Sequence, residues 1–132
     1  MGLIIDTSVL VRVERSGQPI DFTPYASHGA VFISAITVSE LLVGVHRADS
    51  DARLIRRSTF VEGVIDRIPV RDFNAEIARV HAILFADLSR TGRLIPAHDL
   101  IIAATAVCYD SALLTADMRD FQRVPGLRVL ML

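Results

Sequence analysis

Four acids stand out by their surroundings: Asp6 ends the apolar run GLII, Glu40 lies inside SAITVSELLVG, Asp99 opens HDLIIAATA, and Asp117 sits in LLTADMRDF. Taken singly, three of them have ordinary roles. Asp6 before TSVL is placed to cap a helix. Asp99 falls in a first helical turn, where a carboxylate meets the helix dipole favourably, and Asp117 falls in a loop. Glu40 is different, because its helical neighbours three and four positions away are Thr37, Ile36, Val43 and Gly44. No cation lies one turn along to balance it. Asp99 repeats the pattern, with Leu100 and Ile101 beside it and Ile102 and Ala103 one turn on. An ionised carboxylate in so apolar a segment needs a partner from elsewhere in the chain, or a raised pKa.

If these acids meet, they repel: two like charges ~4 Å apart cost about 4 kcal/mol at an effective dielectric of ~20. The chain has 14 basic residues and all are arginine. With no lysine to neutralise the cluster, hard oxygen donors and few imidazoles point to a divalent ion, magnesium or manganese rather than zinc. Magnesium keeps water in its shell, and such a water can act as a nucleophile.

The missing lysine also removes Walker-type nucleotide sites and Schiff-base chemistry. It does not remove RNA, because arginine clamps phosphates bidentately and stacks on bases. Arg12, Arg15, Arg47, Arg90, Arg93 and Arg119 are the candidates for such contacts, each otherwise a solvated surface residue. His28, His46, His81 and His98 lack the spacing of a zinc site, although His98 is placed to line a pocket mouth. No G-x-S-x-G elbow is present. A receiver-type phosphoacceptor domain or a haloacid-dehalogenase-like phosphatase would need a lysine, and the latter a second Asp where Thr7 and Ser8 follow Asp6.

The elements that must position these acids alternate between strands and helices. GLII reads as a buried strand, with a helix through Glu14 stopped near Ser16 and Gly17. AVFIS gives a second strand and ITVSELLVGVHRA a helix to about Ala48. Leu54, Ile55, Phe60, Val61 and Val64 are spaced for an amphipathic helix over Ser50 to Ile65. RIPV is a short third strand, made a poor central one by Pro69. Asn74 is placed to cap a long helix from Ala75 to Arg90 ended by Gly92. Pro96 is expected at the first position of the next helix, followed by strands SALLT and LRVLML. Such alternation implies right-handed crossovers and a parallel sheet covered on both faces. Ligands then bind outside the carboxyl ends of the strands, where Asp6 and Asp117 fall.

A length of 132 residues with 52% hydrophobic composition suits one domain, residues 1–132, with no linker or repeat. Cys108, the single cysteine, excludes an internal disulfide and reads as a buried thiol in AATAVC. A cytoplasmic location is therefore expected, with no secretory leader and no membrane span. The net charge of −1 is not that of a general polyanion binder. The helices from Ile36 to Ile65 carry more apolar residues than one core face needs, in keeping with a partner surface or with deeper burial.

Over essentially its whole length the chain resembles the VapC-like branch of the PIN-domain nucleases. IIDTSVL resembles the first acidic motif (Asp6), SAITVSELLVG the second (Glu40), HDLIIAATA the third (Asp99), and LLTADMRDF with VPGLRVL the fourth (Asp117). The resemblance implies an α/β fold: a PIN-like three-layer α/β/α sandwich around a mainly parallel sheet of four to five strands. It also implies an endoribonuclease dependent on Mg2+ or Mn2+ that cleaves tRNA or ribosomal RNA, and a homodimer. A cognate VapB-like antitoxin would inhibit it by sending a basic side chain into the acidic pocket. Asp6, Glu40, Asp99 and Asp117 would be catalytic and metal-binding. Thr115 matches a hydroxyl position near the metal, Ser8 stands beside Asp6, and Asp120 is a further supporting acid or an ordinary loop acid. Tyr109, Asp110 and Ser111 depart from the glycine turn often found there. A catalytically silent PIN domain that only binds is the alternative.

Overall fold

The apolar run at the start of the chain forms the centre of the sheet. In a computed structural model describing residues 1–132, β1 (Leu3–Ile5) has all three side chains fully buried. It pairs in parallel with β2 (Val31–Ser34) on one side and β4 (Ala112–Thr115) on the other. β3 (Val70–Arg71) and β5 (Arg128–Met131) form the edges, giving the order β3-β2-β1-β4-β5 with every pair parallel. The short edge strand β3 follows directly on Pro69, which cannot donate to a ladder.

Alternation along the strands divides the core in two. Leu3, Ile5, Ile33, Ala112 and Leu114 pack with α1 (Thr7–Ser16), α2 (Ala35–His46) and α3 (Asp51–Arg67). Ile4, Phe32 and Leu113 pack with α4 (Ala75–Arg90) and α5 (Ala97–Cys108). Side chains of period two thus place helices on both faces. The result is the three-layer α/β/α sandwich expected from the sequence.

Local signals set most boundaries. Gly17 ends α1 in the left-handed conformation, at φ 67°. Asn74 Oδ1 accepts from the Ile77 amide at 2.9 Å and starts α4. Asn74→Ala is expected to lower stability by about 1 kcal/mol, measurable as a shift in the urea midpoint at unchanged slope. Pro96 departs from expectation: it is the cap residue before α5, at ψ 144°, not the first helical residue. Asp110 takes a positive φ of 47° between α5 and β4, supplying the turn that a glycine would otherwise make. Two 3-10 turns, Thr23–His28 and Phe121–Arg123, complete the chain. No helix is long and apolar enough to cross a membrane.

The strand order reverses between β1 and β4, the switch point where α/β sheets open a crevice at their carboxyl edge. The Asp6 amide donates to Leu114 O across that seam at 2.9 Å. The first and fourth acidic segments therefore leave the sheet side by side.

Candidate active site

Asp6 follows β1 and precedes α1 as its cap residue, but its side chain makes no capping bond. Its Oδ2 instead accepts hydrogen bonds from Ser8 Oγ and from Thr115 Oγ1, the latter at 2.8 Å. Asp6 is only 5% exposed, so its carboxylate is held by hydroxyls from α1 and β4 rather than by water. Ser8 Oγ also accepts the Ala116 amide at 3.1 Å, and the fully buried Thr115 Oγ1 accepts the Asp117 amide at 3.1 Å. This places Ser8 and Thr115 as the braces of Asp6. The helix-cap reading of Asp6 fails on the same bonds.

Glu40 comes from the middle of α2. Its Oε1 accepts from Thr7 Oγ1 at 2.8 Å, and its Oε2 lies 3.5 Å from His98 Nδ1. The partner missing from its own helix is thus supplied by α1 and α5. His98 stands at the mouth, half exposed.

Asp99, in the first turn of α5, shows most clearly that the acids converge. Burial, followed by the charges of Asp6, Glu40 and Asp120, raises its carboxyl from 3.8 to about 6, and His98 opposes the rise. Asp6 after β1, Glu40 in α2, Asp99 in α5 and Asp120 beyond β4 therefore share one electrostatic hollow. Asp117 lines the same cavity but is tied to Arg119, which donates from Nη2 to Oδ2 at 2.7 Å and from Nε to Oδ1 at 3.1 Å. Those bonds hold Asp117 down at about 2. Its charge is not among those acting on Asp99, whereas that of Asp120 is.

The cavity measures about 780 Å³ and is walled by these five acids and by Arg12, Arg15 and Arg119. Of the other arginines considered, Arg90 pairs with Asp87 on α4, and Arg47 and Arg93 do not line it. No three of the chain's His, Cys, Asp and Glu side chains form a ready-made cage for an ion. The carboxylates instead stand around an open hollow. That donor set fits a hydrated magnesium- or manganese-like ion, which takes one or two carboxylates directly and keeps several waters. Asp6, Glu40 and Asp99 could hold it, with Asp120 or a released Asp117 alongside.

Thr7 and Thr37 were not singled out by sequence as site residues, yet Thr7 joins Glu40 to Thr37. The available signal was Thr37 itself, a polar residue one turn before Glu40 and on the same face of the helix.

The PIN domain family model matches residues 3–127. Ribonuclease VapC1 of Rickettsia felis is 36% identical over 130 residues, covering 98% of this chain and 96% of the relative. The tRNA(fMet)-specific endonuclease VapC of Shigella flexneri is 32% identical over 102 residues, covering 77% and 75%. The crystal structure of DNA-bound VapBC from Salmonella typhimurium aligns with a TM-score of 0.87 at 26% identity, covering 99% of this chain and 98% of that one. With the sheet order, the acidic hollow and these likenesses in agreement, the chain belongs to the PIN-domain family.

Proposed function

We propose that the chain is an endoribonuclease, the toxin of a toxin–antitoxin pair, that hydrolyses RNA phosphodiester bonds in the acidic hollow with magnesium or manganese bound there. The observation that carries this reading is the convergence of Asp6, Glu40, Asp99, Asp117 and Asp120 on one cavity, crowded enough that burial and three of the other acids raise the Asp99 carboxyl. Such a cluster is costly to a fold and is a mark of functional sites. The VapC relatives, named as ribonucleases and as a tRNA-specific endonuclease, support RNA as substrate and tRNA as its class.

The ion, when bound, supplies Lewis-acid stabilisation of charge on the phosphate and an acidified water as nucleophile. Asp6, fixed by Ser8 and Thr115, and Glu40, fixed by Thr7, hold their carboxylates in place before substrate arrives. Asp99, whose proton the ion would displace, would complete the carboxylate set that holds it. Arg12 and Arg15 on α1 and Arg119 across the cavity face the approaching backbone phosphates. Asp117 and Asp120 complete the acidic wall.

A smaller hollow of about 180 Å³ adjoins the cavity between α1, α2 and α3, sharing Val11, Arg15 and Glu40 with it and adding Leu41, Phe60 and Val61. Val43, Leu54 and Ile55 are exposed on these helices. A partly apolar hollow that opens on the acidic pocket supports a VapB-like antitoxin segment that carries a basic side chain inward, and the likeness to the VapBC complex supports the same partner.

Activated-water hydrolysis leaves a 5′-phosphate and a 3′-hydroxyl and does not use the substrate's 2′-hydroxyl. A 2′-deoxy substitution at the cleaved position is expected to leave cleavage within about tenfold of wild type, below the ~10²-fold loss that follows removal of a catalytic group. End-labelled products read by mass spectrometry check this. A 2′,3′-cyclic phosphate would rule the mechanism out.

A further inference from the structure

We propose that Thr7 is the positioning residue for Glu40, its hydroxyl held between Glu40 Oε1 at 2.8 Å and Thr37 Oγ1 at 3.0 Å. This rests on the nuclease reading above and adds to it the group that sets the geometry of its second acid.

Glu40 needs such a group. A glutamate has three rotatable side-chain bonds, and this one stands at a cavity wall with about a third of its side chain exposed. Its other contact, His98 at 3.5 Å, is longer and half exposed. The short bond from Thr7 is the one that fixes an oxygen. Thr7 is stiff by contrast, with a β-branched side chain at the first position of α1.

Thr37 explains how Thr7 is itself held. It lies three residues before Glu40, on the same face of α2. It is fully buried, and its hydroxyl has Thr7 as its one hydrogen-bond partner. The Thr7 hydroxyl carries a single proton, directed to two acceptors, and the charged one is the nearer. Thr37 thus backs Thr7 from the core side while Glu40 draws the proton from the cavity side.

The first turn of α1 works as a jig for two acids. Ser8 reaches back to Asp6, and Thr7 reaches across to Glu40. Because Asp6, Thr7 and Ser8 are consecutive, the spacing of the two carboxylates is tied to one rigid helix start. A hydroxyl is required at both positions, and only a β-branched one at position 7 also meets Thr37 without rotameric freedom.

The test compares Thr7→Val, Thr7→Ser, Thr37→Val and the double variant Thr7→Val/Thr37→Val with wild type. RNA cleavage kinetics and Mn2+ binding by calorimetry on the metal-free protein are the readouts. Thr7→Val is expected to lower kcat and to weaken Mn2+ binding by about 10- to 100-fold, with KM for RNA nearly unchanged. Thr7→Ser restores both to within a few-fold. Thr37→Val gives a smaller loss, because the bond to Glu40 survives without its backing. The double variant removes the hydroxyl that Thr7→Val leaves unpartnered, so it folds even if the single change does not, and it shows the full loss. In a Glu40→Gln background, Thr7→Val adds nothing further.

Wild-type kcat and Mn2+ affinity in folded Thr7→Val or in the double variant overturn the positioning role while leaving the nuclease reading intact. A Thr7→Ser protein as impaired as Thr7→Val does the same. A wild-type protein that neither cleaves RNA nor binds Mn2+ overturns the nuclease reading and the positioning role together.

Discussion

Replacing Asp99 by asparagine is expected to cut RNA cleavage by at least about a hundredfold and, at the same time, to raise the melting temperature of the metal-free protein at pH 8. The two effects have one cause. Asp99 titrates at about 6 in the folded chain against 3.8 without the fold, because burial and the charges of Asp6, Glu40 and Asp120 disfavour its ionised form. A raised carboxyl means that the protonated form is the one folding favours. Its contribution to stability is fully present below about 4 and is lost as the pH rises through about 6. Each tenfold change in proton affinity is worth ~1.4 kcal/mol, so at pH 8 the ionised group opposes folding by at most roughly 3 kcal/mol. Asp99 is only about half buried, and solvent on its open side screens the repulsion to about 1–2 kcal/mol. Asparagine keeps the shape and removes the charge, so most of that opposition goes. At roughly 3–5 °C per kcal/mol for a domain of this size, the rise is readily measured by calorimetry. The gain should shrink as the pH is lowered to 5, where Asp99 is itself protonated.

Cleavage should fall by on the order of 10²–10³ or more, the scale on which preorganised charge stabilisation is lost. Stability gained as activity is lost is the signature of a site built against the fold's own interest. A silent PIN domain would show no RNA cleavage even in the wild type, cleavage unchanged in the variant would remove Asp99 from the chemistry, and a structural acid would leave the variant less stable at pH 8. Asp117 offers the contrasting case. Arg119 holds it at about 2, so its contribution is present above 3.8 and is lost as the pH falls toward 2. Asp117→Asn should bring no rise in melting temperature at pH 8.

The contrast between Asp99 and Asp117 marks where the sequence stops being legible. The strands could be read because each is a short apolar run ending at a polar residue, as with Leu3–Ile5 before Asp6. The caps could be read because Asn74 and Gly17 carry their reason in their own chemistry. Parallel order follows from alternation, so two acids at one sheet edge could be derived without coordinates. That Glu40 needed a distant partner was also visible in its apolar helix. Which partner was not, since Thr7 and His98 reach it from α1 and α5 only after packing. The relation of Asp117 to Asp120 was hidden for a similar reason. Arg119 lies between them in the sequence and bonds to Asp117, leaving Asp120 to act on Asp99. Pro96 missed its expected position by one residue, a shift that sequence periodicity is too coarse to resolve.

Adding Mn2+ to the metal-free protein at pH 8 is expected to stabilise it strongly, and the same addition at pH 5 to stabilise it far less. A ligand that binds only the folded state contributes about 2.7 kcal/mol at a hundred times its Kd. Here it also relieves the repulsion that raises Asp99. Below about 6 the proton on Asp99 competes with the ion, so affinity falls by up to about tenfold per pH unit for that group. The melting-temperature gain should therefore titrate with a midpoint near 6 and be greatly reduced in Asp99→Asn, which has already shed the charge the ion would neutralise. Asp99→Asn and saturating Mn2+ are then two routes to the same relief, and their effects on stability should not add. Sodium chloride at matched ionic strength separates site binding from general screening, because a monovalent salt screens the open hollow without being held by its carboxylates. Equal stabilisation by salt and by Mn2+, or an undiminished Mn2+ effect in Asp99→Asn, would show that the ion does not act through this cluster. The acidic hollow would then need another neutraliser, and the arginines Arg12, Arg15 and Arg119 on its wall are the groups that could supply it.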